Sequence, residues 1–144
     1  MEKRILIVDD DDAIRMLLLT VLRKRDFHVD TARNGEEAIE RTQQCRYSII
    51  LLDLMMPRMS GYEFLSRVEG WPANERPLVI VLTAGSEPRN LNAKIVAGTI
   101  RKPFDIELLV DTITACMRTL EELRQNGGCP PSESDLGRPS GEPN

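Results

Sequence analysis

Two short runs, SIILL at 48–52 and LVIVL at 78–82, restrict what this chain can fold into more than any other feature. Neither shows the apolar–polar alternation of a strand wetted on one side, so a strand built from either must be covered on both faces. A parallel sheet between two layers of helices meets that demand. Further strands are expected at 4–8, 27–32 and 98–101.

Helical patterns separate these runs. Ile14, Leu17, Leu18, Val21 and Leu22 recur at the spacing of one helical face and predict a core-facing stripe, with Asp12 as N-cap. NGEEAIERTQQ and GYEFLSRVE open on Gly-containing turns and continue as short amphipathic helices. PFDIELLVDTITACMRTLEELRQ supplies a long last helix, capped by Asp105 and stopped by Asn126, Gly127 and Gly128. With right-handed crossovers this alternation makes a doubly wound five-stranded parallel α/β sheet.

The 144 residues, 41% of them apolar, suit one domain with a real core. That domain is expected over 1–125. The stretch 126–144 is Gly/Pro/Ser-rich, nearly lacks apolar residues, and is expected to be a disordered tail. A formal charge of −4 offers no basic footprint for nucleic acid. No stretch approaches the roughly 18 apolar residues of a membrane span, and MEKRILIVDD is too short in its apolar part to read as a signal peptide. The expected location is the cytoplasm. Cys45, Cys116 and Cys129 lack metal-ligand spacing and form no disulfide framework; the first two read as small core or helix residues. His28 reads as a surface or packing residue, Trp71 as loop packing, and Met55, Met56 and Met59 as core and loop filler.

In a doubly wound sheet the ligand site lies beyond the carboxyl ends of the strands, where the winding reverses. The residues there are Asp9 and Asp10 after the first strand, Asp53 after the third, Thr83 after the fourth and Lys102 after the fifth. Carboxylates roughly 5 Å apart repel by about 3 kcal/mol per pair at an effective dielectric near 20, so a hard divalent cation is their natural companion. Magnesium fits, because it takes oxygen ligands and commonly joins one or two carboxylates to a phosphate. A carboxylate beside it is a nucleophile able to form an aspartyl phosphate, with Lys102 and the Thr83 hydroxyl placed to meet the phosphoryl oxygens.

ILIVDDDDAIRMLL, DLMMPRMSGYEFL, VIVLTAGS and RKPFDIELL, in that order, resemble the receiver domain of bacterial two-component response regulators, over about residues 3 to 123. The resemblance implies a flavodoxin-like strand order 2-1-3-4-5. It implies Asp53 as phosphoacceptor, charged by a histidine kinase or phosphotransfer protein, with Mg2+ (or Mn2+) held by Asp10, Asp53 and the Met55 backbone carbonyl. By the same resemblance Asp9 acts mainly through water, Thr83 is the switch hydroxyl, Lys102 the phosphate-sensing lysine, and the Lys102–Pro103 peptide is cis. The implied protein is a stand-alone phosphoacceptor, not an enzyme with its own substrate, a monomer or weak dimer signalling to another protein without membrane insertion.

Two departures from the family stand out. Only 19 positions lead from Thr83 to Lys102, fewer than usual, and SEPRNLNAKIVAG is weak helix material, so the fourth helix is expected to be short or irregular. Thr99 stands where many members carry an aromatic. Partners are therefore expected to read the first helix and the loops around Asp53. Met55 and Gly85, at the positions that tune hydrolysis in the family, cannot orient water with a side chain, and slow self-dephosphorylation is expected. A phosphorylation-independent interaction module is the alternative. A magnesium phosphatase built on the Asp-x-Asp within the acidic run is a weaker one, since the Thr or Val that should follow is missing.

Overall fold

The computed structural model of the chain describes residues 4–85 and 91–125. Five strands, β1 (Arg4–Val8), β2 (His28–Ala32), β3 (Ile49–Asp53), β4 (Leu78–Thr83) and β5 (Val96–Arg101), form one sheet in the order β2-β1-β3-β4-β5. Every pairing is parallel. Helices α1 (Asp12–Arg23), α2 (Gly35–Gln44), α3 (Gly61–Glu69) and α4 (Ile106–Gln125) cover it, with a short 3-10 turn at Ala73–Glu75.

Register explains how runs without alternation serve two faces. Leu6, Val8, Ile50, Leu52, Val79 and Val81 point into a core closed by Ala38 of α2 and Phe64, Leu65 and Val68 of α3. Ile5, Ile7, Ile49, Leu51, Ile80 and Leu82 point the other way, onto Leu18 and Leu22 of α1 and Leu109, Val110, Ile113 and Met117 of α4. Each fully buried side chain of this size contributes about 1.5–3 kcal/mol, so both layers are needed to hold the strands. The two described cysteines, Cys45 and Cys116, are free and half-buried at the margins of these cores.

Several local expectations are corrected. The N-cap of α1 is Asp11, whose carboxylate accepts from the Ala13 and Ile14 N–H groups, while Asp12 is the first helical residue. Leu17 is 49% exposed: the buried face of α1 centres on Leu18 and Leu22 and is rotated toward Leu19, which packs against the core in its place. Met55 is 69% exposed and so is not core, whereas Met56 is buried. β5 begins at Val96, two residues before the expected start, with an irregular register against Val79 and Ile80. Asp105 does cap α4, accepting from the Glu107 and Leu108 N–H groups. His28 is exposed, and Trp71 packs edge-on against Phe64 with ring centroids 6.3 Å apart.

Between β4 and β5 no helix is formed among the described residues. Leu91 and Ile95 pack onto the core at the edge where a crossover helix would sit, and Thr99 is left exposed on β5. Residues 86–90, the stop at Asn126–Gly128, Cys129 and the rest of the expected tail lie outside the described residues.

Candidate functional site

Parity and register place the acids. Asp9 continues the series Ile5, Ile7, and Asp53 the series Ile49, Leu51; Ile5 pairs with Ile49 and Ile7 with Leu51, so one more step of two sets Asp9 beside Asp53. These neighbours sit at β1 and β3, the strands between which the winding reverses. Asp9 is fully buried and Asp53 is 4% exposed, whereas Asp10, one residue on, is exposed at the mouth. One carboxylate oxygen from each of the three lies within 4.8 Å of the others.

Lys102 enters from the end of β5. Its Nζ lies 2.8 Å from Asp9 Oδ2 and 3.6 Å from Asp53 Oδ2, and its backbone N–H donates to the Thr83 carbonyl at 2.7 Å. Thr83 is thereby tied to Lys102 through the main chain, and it is buried at the end of β4. The Lys102–Pro103 peptide is cis. The Met55 N–H donates to Asp53 Oδ1 at 3.1 Å, which turns the chain sharply after the strand. All six residues singled out in the sequence, Asp9, Asp10, Asp53, Met55, Thr83 and Lys102, thus meet at one end of the sheet.

The electrostatics follow from burial and crowding. The Asp53 carboxyl is pushed up to about 6, chiefly by burial and then by the neighbouring Asp9 charge, against the pull of the Met55 N–H and of Lys102. Burial opposes the Lys102 ammonium, yet its hydrogen bond to Asp9 and the charges of Asp9 and Asp53 prevail and hold its pKa above the ordinary lysine value. Three carboxylates facing one ammonium leave an excess of negative charge. The all-oxygen donors and their spacing fit a hard divalent cation that keeps part of its water, as Mg2+ does.

Two further residues support the site, Arg15, to which the sequence gives no role, and Gly61, which the sequence shows only as the glycine of the stretch after Asp53. Arg15 Nη1 donates to the Asp9 carbonyl at 2.7 Å, from a position whose only sequence signal is that it lies one turn into the helix that follows the acids. Gly61 starts α3 against the end of β3, its N–H on the Leu54 carbonyl at 3.0 Å. A Cβ there would lie 2.5 Å from the Asp53 carbonyl oxygen, so no other residue allows this approach.

Comparison with known proteins agrees with this geometry. Residues 5–114 match the family described as the response regulator receiver domain. The chain is 38% identical over 120 residues to the transcriptional regulatory protein ResD of Bacillus subtilis, and 36% identical over 121 residues to SrrA of Staphylococcus aureus. These matches take in 81% and 82% of this chain, which spans about half the length of those relatives (49% of each). Among solved structures, the CheY-like receiver domain protein of Methanospirillum hungatei superposes with a TM-score of 0.74 at 29% identity, covering 83% of this chain and 97% of that one. The response regulator TrrA of Thermotoga maritima, solved in complex with Mg2+-BeF, gives a TM-score of 0.70 at 32% identity, covering 81% and 99%. With a five-stranded sheet in the order 2-1-3-4-5 and a family match over most of its length, this chain belongs to the response regulator receiver domains.

Proposed function

We propose that the protein accepts a phosphoryl group on Asp53 from a histidine kinase or phosphotransfer protein, in the cytoplasm and with Mg2+ or Mn2+, and passes the signal on through protein contacts. The observation that carries this reading is the placing of Asp53: buried at a strand end, with an oxygen of each of two further acids within 4.8 Å and the Lys102 ammonium 3.6 Å away. Asp10, Asp53 and the Met55 carbonyl would hold the cation directly. Asp9, whose carboxylate oxygens already accept from the Asp11 N–H at 2.9 Å and from Lys102, would act through water. When bound, the cation supplies positive charge that lets an anionic phosphoryl group approach three acids.

In the transfer itself an Asp53 carboxylate oxygen forms the new bond to phosphorus as the phosphorus–nitrogen bond of the donor histidine breaks and the imidazole leaves. Lys102 turns from Asp9 toward a phosphoryl oxygen, and the Thr83 hydroxyl donates to another. Slow loss of the phosphoryl group is expected: the Met55 side chain points to solvent without a polar group, and Gly85, at φ +131, has no side chain to orient water. Met16, Leu17 and Met55, all exposed, support α1 and the loop after Asp53 as the surface that protein partners read.

The test is intact mass after incubation with Mg2+ and acetyl phosphate. One added phosphoryl group, absent from Asp53→Asn, is the expected result. No uptake by the wild type would favour the second reading, a phosphorylation-independent interaction module, for which the lack of a helix among the described residues between β4 and β5 and the exposed Thr99 speak.

A further inference from the structure

Asp9 is held at every polar atom. Its N–H donates to the Ala32 carbonyl at 3.1 Å, Oδ1 accepts from Asp11 and Oδ2 from Lys102. The carbonyl lies past the last β1–β3 pair, Val8 with Leu52, and there Arg15 Nη1 supplies the donor at 2.7 Å. Arg15 Nη2 donates to the Asp12 carboxylate. The Arg15 side chain is only 11% exposed although it belongs to the first turns of α1, while Asp12 is 85% exposed. One guanidinium therefore spans the two ends of the acidic turn, and Asp10 and Asp11 lie between its two partners.

We propose that Arg15 is a positioning residue of the phosphoacceptor site, closing the 9–12 turn so that the Asp10 carboxylate stays in reach of Asp53 and of a divalent cation. The inference rests on the reading of Asp53 as acceptor. A planar fork suits this task because its donors reach two acceptors at once from a fixed geometry, which a single ammonium does not match. The sign of the effect separates positioning from charge. As a cation bonded to the Asp9 carbonyl, at the edge of the acidic cluster, Arg15 repels a divalent ion, so a role through charge alone predicts tighter Mg2+ binding on its removal. Positioning predicts weaker binding, as for other groups that orient metal ligands without touching the metal.

The experiment uses the full chain as wild type, Arg15→Met and Arg15→Lys. Mg2+ is titrated while the backbone amide NMR shifts of residues 9–13 are followed, and labelling by acetyl phosphate is timed at saturating Mg2+. Arg15→Met should weaken Mg2+ binding about tenfold, with Arg15→Lys between it and the wild type. Binding by Arg15→Met within about twofold of the wild type, or tighter, overturns the proposal, since the positioning effect should exceed that margin. Should Arg15→Met fail to fold, Arg15→Lys carries the same criterion. A wild type that neither binds Mg2+ nor takes the label overturns the phosphoacceptor reading itself, whereas a competent wild type with unaffected Arg15 variants overturns only this inference.

Discussion

Lys102 Nζ stands 2.8 Å from Asp9 Oδ2 but 3.6 Å from Asp53 Oδ2, so the ammonium is nearer to the acid that is fully buried than to the proposed acceptor. In this arrangement the first task of the lysine is to neutralise Asp9. Lys102→Met leaves that carboxylate without its charged partner in a dry site, and the metal-free protein should lose about 2–3 kcal/mol of stability. Saturating Mg2+ should restore more of the stability of the variant than it adds to the wild type, because a cation binding only the folded state then supplies the missing charge. Urea unfolding with and without Mg2+ measures both effects.

Asp53 links stability to pH. Its carboxyl titrates near 6 in the metal-free fold, above the ordinary aspartate value near 3.8. The folded state therefore holds a proton that the unfolded state has released, and stability falls as pH rises from about 4 to about 6, then levels off. Asp53→Asn removes this penalty. The variant should exceed the wild type by about 1–3 kcal/mol at pH 7.5 and by only about 0.5 kcal/mol or less at pH 4, where the wild-type carboxyl is protonated in the fold and close to half protonated in the unfolded chain. Denaturant titrations of metal-free protein at the two pH values decide it, and a gain of undiminished size at pH 4 contradicts the raised carboxyl of Asp53.

Partner recognition gives a third prediction. Met16 and Leu17 are 58% and 49% exposed on α1. Replacing either by Glu should leave the rate of labelling by acetyl phosphate unchanged, because the small donor needs only the pocket. Transfer from a phosphorylated protein donor should fall about tenfold or more if these side chains sit at the centre of the interface. Equal losses with both donors would show damage to the pocket instead.

What the sequence made legible follows from which physical signals are local. The buried strands were readable because SIILL and LVIVL admit no wet face, and Asp9 and Asp53 could be placed because each directly follows an unbroken apolar run, whereas Lys102 follows the half-exposed β5 and was legible from the Lys-Pro-Phe stretch it opens. The cap of α1 was misassigned by one residue because Asp11 and Asp12 are chemically identical and only the backbone decides: Asp11 is extended (φ −84, ψ 112) and Asp12 helical. Leu17 misled because a helical period identifies an apolar face without fixing its rotation against the sheet. Arg15 was invisible as a site residue because its partner is the main-chain carbonyl of Asp9, and a carbonyl carries no sequence signature; Gly61 stands in the DLMMPRMSGYEFL stretch, but that it lets α3 start against the end of β3 shows only in the fold.

Gly61 offers the sharpest test of how Asp53 is held. A Cβ at this position would lie 2.5 Å from the Asp53 carbonyl oxygen and 2.7 Å from the Leu54 Cα, both of them backbone atoms that no side-chain rotation can clear. Gly61→Ala must therefore move either the start of α3 or the end of β3. The first course breaks the capping box in which Ser60 and Glu63 each bond the other's N–H, together with the Gly61 N–H bond to Leu54; the second displaces Asp53 from Lys102 and from the other acids. Either way the expected loss is about 1–3 kcal/mol of stability. Displacement of Asp53, the proposed acceptor, should also slow acetyl phosphate labelling at saturating Mg2+, in conditions where the variant is fully folded, by about tenfold or more, since small errors in placing a nucleophile are costly. Ser66→Ala, on an exposed position of the same helix, serves as the control and should change neither quantity. Normal labelling by a destabilised Gly61→Ala would mean that α3 yields and Asp53 stays, placing the rigidity of the site in the sheet alone.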